Sequence, residues 1–299
     1  MKVHSSLERP TSPLMADLAG LSIGDLAPVR IMGVINVSPE SFHPSSVQTT
    51  AERIAATAEA MASAGADIID IGAMSTAPYL KTQISEEEET DRLVHAVETT
   101  VSRITIPISV DTQRVKPAAA ALASGARIVN DVSGLKRDPN MASLIATAQV
   151  GVILMAHEVA PGSGAPMHRI HAALEESLHL AIQAGISTNR TVLDPGIGFF
   201  RQPTIPWYEW DCLVLRELAS LRTLRLPLLI GVSRKSFIGK LLGKQATEER
   251  LVGSLACAAI AVNNGAHIIR THDVKETLEA VRIAERLRVL WPIQTPLPQ

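Results

Sequence analysis

Residues 231–237 read Gly-Val-Ser-Arg-Lys-Ser-Phe and follow an apolar run that begins at Leu226. An apolar run that ends in a hydroxyl, two cations and a second hydroxyl is typical of a buried strand with polar groups at its C-terminal end. Residues 266–273, Ala-His-Ile-Ile-Arg-Thr-His-Asp, repeat this plan with a cation and an imidazole. If these are the last two strands of a (β/α)8 barrel, both polar clusters lie where such barrels commonly bind phosphate.

Six further apolar runs precede these two and alternate with segments of helical periodicity. They span residues 30–37, 68–72, 107–110, 127–132, 150–155 and 191–193. Eight strands that alternate with eight helices predict an α/β protein, a single-domain (β/α)8 TIM barrel over residues 29–290. Residues 1–28 are predicted to be an N-terminal extension, a flexible leader with a short strand pair over the bottom of the barrel, and residues 291–299 a C-terminal tail.

Helix starts are also readable from the sequence. Ser85 followed by Glu88 has the spacing of a capping box, and Asp273 with Glu276 is predicted to cap the last helix in the same way.

The composition excludes several classes of protein. The chain has 299 residues, of which 46% are hydrophobic and 19% charged, with a net charge of -2, so a large core is expected. Aromatic residues make up only 3%, which leaves little to stack on bases and argues against nucleic-acid binding. Cys212 and Cys257 have no metal-type spacing and suit a reduced cytoplasmic protein. No signal peptide or membrane span is predicted.

Polar residues at the strand ends would ring the top of such a barrel: Asn36, Asp111, Asn130, Asp194 and Lys235. Carboxylates and amides in this arrangement can accept from and donate to a heterocycle that resembles an amide or a guanidine. The sequence therefore predicts a site for a polar planar substrate at this face.

A second group of residues suits an anion. Lys235, Ser233, Arg270 and His272 can hold anionic oxygens, and arginine grips a phosphate through two N–H groups. Mg²⁺ bound to a diphosphate takes only one or two oxygens from protein, and Asn36 could supply one of them. No Ser-His-Asp triad, phosphate-binding glycine loop or zinc motif is present.

Each assignment has a purely structural counterpart. Asp111 could cap the following helix, residues 194–196 could form an ordinary strand-ending turn, and residues 130–131 could satisfy backbone groups at the barrel rim. Four further side chains could form a metal cluster, although their spacing matches no known ligand pattern: His157, Glu158, His168 and His171.

Several motifs resemble those of the dihydropteroate synthase family, from about Arg30 to Leu287. Residues 32–42, Met-Gly-Val-Ile-Asn-Val-Ser-Pro-Glu-Ser-Phe, are similar to the family's Met-Gly-Val-Leu-Asn-Val-Thr-Pro-Asp-Ser-Phe. Residues 270–273, Arg-Thr-His-Asp, resemble its Arg-Val-His-Asp. Further stretches match almost letter for letter: 65–72, 109–112, 130–134, 194–199 and 231–237.

This resemblance implies a transferase that condenses hydroxymethyl-dihydropterin diphosphate with an arylamine, p-aminobenzoate or a related aniline. The pterin would be held by Asp111, Asn130, Asp194 and Lys235, and Arg270 would anchor the diphosphate. The catalytic residues would be Lys235, Asp111 and Arg270. Diphosphate leaves the pterin methylene first, or nearly so, and the amine traps the cation. The enzyme therefore stabilises the charges and excludes water.

The remaining contacts follow from the same resemblance. Asn36 would reach the Mg²⁺-bound diphosphate and His272 would bind the diphosphate itself. Phe199 and Ser233 would line the arylamine pocket, and Thr76 would also bind substrate. The partners are small molecules, without nucleic acid or membrane, and a homodimer is expected.

Two loops depart from the family pattern. Residues 74–79, Met-Ser-Thr-Ala-Pro-Tyr, have Ala77 where the family's Glu-Ser-Thr-Arg-Pro-Gly has arginine, and residues 43–46 replace its Ser-Asp-Gly-Gly with His-Pro-Ser-Ser. These changes are similar to the methanopterin-pathway branch, in which the amine is a ribosylated aniline phosphate. The chain also resembles a pterin-binding methyltransferase-like domain, against which the anion cluster argues. The loss of the arginine is equally compatible with a weakly active paralogue.

Overall fold

The computed structural model describes residues 12–38, 50–74, 84–160, 164–200 and 205–288. A hairpin, β1 and β2, precedes eight strands, β3 to β10, that are parallel to one another. The bounds of the ten strands are Met15–Leu18, Leu21–Gly24, Arg30–Asn36, Ile68–Gly72, Ile108–Asp111, Ile128–Asp131, Gly151–Met155, Thr191–Asp194, Leu229–Gly231 and Ile268–Thr271.

The eight parallel strands form a barrel, as the sequence predicts. They pair in the order β8-β7-β6-β5-β4-β3-β10-β9, and a parallel bridge between Leu193 and Leu228 joins the two edges. Almost all their residues are buried, because one face packs inside the barrel and the other against helices. The C-terminal ends of all eight strands therefore lie at one face of the molecule.

Helices α1 to α9 surround the barrel in the described residues. Their bounds are Ala51–Ser63, Glu86–Val101, Val115–Ala123, Met141–Ala148, Pro166–Gln183, Trp207–Glu217, Ser236–Leu242, Leu251–Asn263 and Val274–Leu287. The short α7 was not predicted. It begins directly after Lys235 and ends at Gly243, which adopts a left-handed conformation (φ +66°).

The predicted caps have different outcomes. Oγ of Ser85 accepts from the N–H of Glu88 at 3.0 Å, which confirms the predicted start of α2. Helix α9 also begins directly after Asp273, as predicted, but the predicted capping by its side chain is wrong, because this side chain makes no capping hydrogen bond. Its carboxylate binds Arg234 instead, a charge-assisted contact that a neutral backbone N–H does not match.

The hairpin β1–β2 covers the N-terminal end of the barrel and confirms the predicted strand pair. Its residues Leu18 and Ile23 are fully buried and share a small core with side chains from the barrel strands. The barrel residues in this core are Met32, Ile68, Ile128, Ile153, Val192, Leu229 and Ile268. The bottom of the barrel is therefore filled by apolar side chains, and the opposite face is left for chemistry.

An ionic network ties the hairpin to the barrel. Asp25 accepts from the backbone N–H of Leu14 at 2.7 Å and from Nη1 of Arg222 at 2.8 Å, and Nε2 of His267 lies 3.3 Å away. Burial alone would raise the pKa of Asp25, but the hydrogen bonds from His267, Arg222 and Leu14 lower it below its ordinary value.

None of the helices in the described ranges could span a membrane, because none is both long enough and apolar enough.

Candidate active site

The strand ends bring the predicted side chains to the C-terminal face. Asn36 and Asp111 are the last residues of β3 and β5, and Asn130 is next to last in β6. Asp194 ends β8, and Lys235 follows β9 by four residues. The parallel register therefore places them around one opening, as the alternating sequence pattern predicts.

Arg270 of β10 lies at the centre of the charged cluster. Its Nε donates to Oδ2 of Asp70 at 2.6 Å, and its Nη2 donates to Oδ2 of Asp111 at 3.2 Å. Nδ2 of Asn130 donates to the same Oδ2 of Asp70 at 3.1 Å. Four strands thus contribute to one hydrogen-bonded group.

Asp70 was not predicted to belong to the site. It is fully buried in β4, between isoleucines on either side. The available signal was a carboxylate inside an otherwise apolar strand, because a buried charge requires a partner. The sequence indicates the buried charge but not its partner, Arg270, which is 200 residues away in the chain.

Two carboxylate oxygens in this cluster have no hydrogen-bond donor among the described residues, Oδ1 of Asp70 and Oδ1 of Asp111, and both are buried. An unsatisfied buried acceptor costs about 1–3 kcal/mol, so these oxygens suit the N–H donors of a ligand. Burial raises the pKa of Asp111 to about 7; Arg270 opposes this effect, and the carboxylates of Asp70, Glu89 and Asp131 add to it.

The guanidinium of Arg270 remains charged in this position. Burial alone would lower its pKa, but the carboxylates of Asp70 and Asp111 raise it above the ordinary value. Its Nη1 makes no hydrogen bond to a described residue, whereas Nε and Nη2 both do. Arg270 can therefore hold the two carboxylates and still offer one nitrogen to an anion.

Asp194 begins the loop that follows β8. Its Oδ1 accepts from the N–H of Gly196 at 2.8 Å. The strand-ending turn, which the sequence allowed as a purely structural role for Asp194, therefore does form. Its Oδ2 accepts no hydrogen bond from the described part of the chain. Burial raises the pKa of Asp194, while the hydrogen bond from Gly196 and the charge of Lys235 lower it. One oxygen thus shapes the turn and the other is left for a ligand.

Lys235 packs on the same loop. Its Nζ donates to the carbonyl of Ile197 at 2.9 Å and lies 4.6 Å from the centroid of the Phe199 ring. Gly198 has φ +88°, and a Cβ there would lie 3.1 Å from Cδ of Lys235. The left-handed backbone at Gly198 favours glycine, and a side chain there would also crowd Lys235.

Ser233 and His272 join the last two loops. Oγ of Ser233 lies 2.9 Å from Nδ1 of His272, and the backbone N–H of His272 donates to the same Oγ at 3.2 Å. Ser233 is two residues from Lys235 in the sequence, and His272 is two residues from Arg270. All four residues of the predicted anion cluster therefore lie at the ends of β9 and β10.

Arg234 lies between Ser233 and Lys235 in the sequence but does not belong to the anion cluster. It adopts φ +55°, and its Nε donates to Oδ2 of Asp273 at 2.9 Å. Its Nη1 donates to the carbonyl of Thr247 at 2.9 Å. The two neighbouring cations therefore separate, with Lys235 at the site and Arg234 locking the β9 loop to the β10 loop.

Asp111 and Asp131 differ in the structural roles that the sequence also allowed for them. Asp111 does not cap α3, because the first N–H of that helix, from Val115, donates to Oδ2 of Asp138 at 2.9 Å. Asp131 does satisfy the barrel rim, since it accepts from the backbone N–H groups of Ser133 and Leu135. The structural role is thus wrong for Asp111 and correct for Asp131.

The alternative metal cluster of His157, Glu158, His168 and His171 does not form in the described residues. Glu158 is paired with Arg169, and Nε2 of His171 lies 3.0 Å from Oγ1 of Thr223. No group of three or more His, Cys, Asp or Glu side chains that could bind a metal occurs within the described ranges.

Three features of the predicted site lie outside the described residues, as does the predicted C-terminal tail. These are Thr76, Ala77 and the loop at residues 43–46. Asn36 is described and half-buried. A Cβ placed on Gly72 would lie 3.7 Å from Oδ1 of Asn36 and 3.7 Å from Cβ of Asp111, so both side chains lie next to Gly72 at the end of β4.

The fold and these polar strand ends define a (β/α)8-barrel enzyme with its active site at the C-terminal face. The family model described as pterin binding enzyme matches residues 32–272, and the chain belongs to this family.

The individual relatives within this family are dihydropteroate synthases. The dihydropteroate synthase of Escherichia coli K12 is 38% identical over 268 residues, which cover 87% of this chain and 92% of the relative. Among solved structures, the Xanthomonas albilineans dihydropteroate synthase with 4-aminobenzoic acid has a TM-score of 0.82 and 34% identity, and covers 93% of this chain and 99% of its own. The Coxiella burnetii enzyme with pteroic acid has a TM-score of 0.81 and 35% identity, with coverages of 93% and 99%.

Proposed function

We propose that this protein condenses hydroxymethyl-dihydropterin diphosphate with p-aminobenzoate and releases diphosphate. It is a transferase of the dihydropteroate synthase type. The observation that carries the proposal is the buried cluster of Asp70, Asp111 and Asn130 around Arg270, which leaves two carboxylate oxygens without donors among the described residues. A pterin ring presents amine and ring N–H donors of the kind that these oxygens accept.

The pterin half of the site is built on the barrel strands. In the proposed complex, the carboxylates of Asp111 and Asp194 accept N–H groups of the ring, and Asn130 offers its amide. Lys235 donates from the opposite side, where it already lies over Phe199. Strand residues move little, so these groups are held ready for the substrate.

The departing diphosphate requires positive charge at the loops after β9 and β10. Nη1 of Arg270 faces this task, and His272 is held beside Ser233 to assist it. Lys235 and Arg270 together offset the negative charge that develops as the bond to the pterin methylene breaks. Because the charge develops in a partly buried site, fixed cations stabilise it more than water would.

Mg²⁺ is part of the proposal as a partner of the diphosphate. Asn36 offers one amide oxygen, and Mg²⁺ typically binds through one or two protein oxygens together with phosphate oxygens and water. The donor set fits a metal that arrives with the substrate, because the described residues hold no chelating group of three. The ion would neutralise charge on the leaving diphosphate. Turnover in excess EDTA would contradict this part of the proposal.

The amine is the least constrained substrate. Ala77 and residues 43–46, which carry the resemblance to the methanopterin-pathway branch, lie outside the described residues, so a ribosylated aniline phosphate stays a prediction beside p-aminobenzoate. The variant Ala77→Arg separates the two. With p-aminobenzoate as the natural amine, the restored guanidinium raises turnover, whereas a phosphate-bearing amine would be crowded and its turnover would fall.

A homodimer is supported by the exposed face of α8. This helix has no charged residue among its 13 residues, yet Val252 and Ile260 are 75% and 50% exposed. A helix that is apolar on all sides is normally covered, and homodimer interfaces are more apolar than other surfaces. The variant Ile260→Lys should therefore give monomers in light scattering, whereas Ile283→Lys on α9 should not.

The decisive experiment is an assay with the purified protein, hydroxymethyl-dihydropterin diphosphate and each amine. Dihydropteroate and diphosphate formed in equal amounts support the proposal. Binding of the pterin without diphosphate release would instead identify a weakly active paralogue or a methyltransferase-like domain. Use of the ribosylated amine alone would identify the methanopterin-pathway reaction.

A further inference from the structure

Arg169 is a buried arginine on α5 and is not among the predicted site residues. Its side chain is 3% exposed. Its Nε donates to Oε1 of Glu158 at 2.7 Å, and its Nη2 binds the other carboxylate oxygen, so the pair is bidentate. A buried ion pair of this kind adds little net stability over apolar packing, so its presence calls for a reason other than stability.

The guanidinium of Arg169 also lies on two aromatic rings. Its Cζ is 5.0 Å from the centroid of the Trp210 ring and 6.0 Å from that of Phe200. The two rings stack on each other with centroids 5.1 Å apart and an angle of 17° between their planes. Arg169 therefore holds a stack that joins the loop after β8 to the first turn of α6.

Helix α6 grips this loop at a second point. Oδ1 of Asp211, the residue after Trp210, accepts from the N–H of Gly198 at 2.8 Å. The two attachments, at Gly198 and Phe200, lie on either side of Phe199. Asp211 is fully buried, as is Trp210, so neither attachment can move without disturbing the core.

Phe199 itself faces the site. Its half-buried ring lies 4.6 Å from Nζ of Lys235, and the same Nζ donates to the carbonyl of Ile197. The ring is thus held in position by the two attachments of its neighbours to α6, Gly198 to Asp211 and Phe200 to Trp210. The second of these attachments includes the contact with Arg169.

We propose that Arg169 is a positioning residue for the arylamine half of the site. The inference rests on the proposed function and on the role that the family resemblance implies for Phe199, in the pocket of the amine. Arg169 acts through Phe200 and Trp210 and touches no substrate. The pterin half should depend on Arg169 much less, because Asp111 and Asn130 stand on β5 and β6 with their own hydrogen bonds. Lys235 contacts Phe199, but its bond to the carbonyl of Ile197 lies on the strand side of both attachments.

The test compares two ligands that share the pterin. Pteroic acid carries the p-aminobenzoyl group, and 6-hydroxymethylpterin does not. In Arg169→Met, calorimetry should show about a tenfold loss of affinity for pteroic acid, since a displacement of an ångström can have effects of this order or larger. The affinity for 6-hydroxymethylpterin should stay within about twofold of the unmodified protein. In the assay, KM for p-aminobenzoate should rise while KM for the pterin diphosphate stays constant.

Lys136→Met is the matched control. Lys136 is an equally buried cation, 3% exposed, and it is bonded to the carbonyls of His157 and Ala173 and to Glu176. None of these three partners belongs to the stacked rings, so its loss should lower stability without changing the ratio of the two affinities. Arg169→Lys keeps a charge opposite Glu158 but not the planar group on the rings, and it should show a smaller loss for pteroic acid, roughly threefold.

The outcomes separate the inference from the proposed function. Equal losses for both ligands in Arg169→Met, or no loss in any folded variant, would overturn the positioning role. If Arg169→Met does not fold, Arg169→Lys decides, and an unchanged ratio there overturns the proposal. Failure of the unmodified protein to bind either ligand would overturn the proposed function, and the inference with it.

Discussion

Each end of the barrel holds a carboxylate beside an arginine, half-buried Asp25 at the hairpin end and buried Asp111 at the other, and the two pairs differ in their hydrogen bonds. At the hairpin end, Asp25 receives hydrogen bonds from Leu14 and Arg222 and faces His267. At the other end, Asp111 receives one hydrogen bond, from Arg270, and its second oxygen has no donor among the described residues. Both oxygens of Asp25 therefore have hydrogen-bond donors, whereas one oxygen of Asp111 has none among the described residues.

The pKa values follow this difference. The pKa of Asp25 is lowered, because its hydrogen bonds outweigh the effect of burial, and the pKa of Asp111 is raised to about 7, because burial outweighs Arg270. A satisfied carboxylate stabilises the fold, whereas an unsatisfied one has a cost that a ligand can remove. We infer that stability is concentrated at the hairpin end and binding at the other.

The largest expected effect is on binding at the C-terminal face. Lys235→Ala and Asp194→Ala should each reduce pterin affinity by about tenfold to a hundredfold, because a hydrogen bond to a charged group contributes roughly 1.5–3 kcal/mol. Both variants should keep their melting temperature within a few degrees. Calorimetry with 6-hydroxymethylpterin and a thermal melt check this prediction; unchanged affinity in a folded variant would remove that residue from the site.

At the hairpin end, the expected effect is on stability. Asp25→Ala should lower the free energy of unfolding by about 2–4 kcal/mol, because it leaves the N–H of Leu14 and the half-buried Arg222 without their acceptor. Urea unfolding measures the change. Glu52→Ala, an exposed carboxylate on α1, is the control and should change the free energy of unfolding little. A loss of pterin affinity in Asp25→Ala would show that the two ends are not independent.

The smallest expected effect is the dependence of binding on pH. A pterin N–H needs an ionised acceptor, so affinity should rise with pH up to about 7 and then level off, by at most tenfold for each pH unit. Asp111→Asn should remove this dependence. Calorimetry between pH 5.5 and pH 8, at roughly half-unit steps, tests the slope. An equally steep slope in the variant would assign the proton to another group.

The same pKa values give stability profiles of opposite sign. Because the folded protein holds the proton of Asp111 more tightly than the unfolded chain does, this group stabilises the unliganded fold below about pH 4, and that contribution is lost as the pH rises through about 7. The contribution of Asp25 is fully present above about pH 4 and is lost as the pH falls below it. Urea unfolding of Asp111→Asn and Asp25→Asn across this range separates the two.

The sequence alone determined the barrel and most of its active face. Runs of apolar residues are local signals. The sequence of each strand shows by itself that the strand is buried and which polar residues follow it. The alternation of eight such runs with helices leaves few competing folds, because parallel strands need helical crossovers. The side chains at the strand ends, such as Asn36 and Asp111, could therefore be assigned to one face before any contact was known.

Only the tertiary structure decided which charges meet. Asp70 joins Arg270 across 200 residues, Arg222 joins Asp25 across 197, and Arg234 joins Asp273 across 39. Such pairs depend on the register of the barrel and on the direction of each side chain, and no local pattern records either. For this reason, Lys235 and Arg234 look equivalent in the sequence, although the fold directs one to the site and the other to a carboxylate behind it.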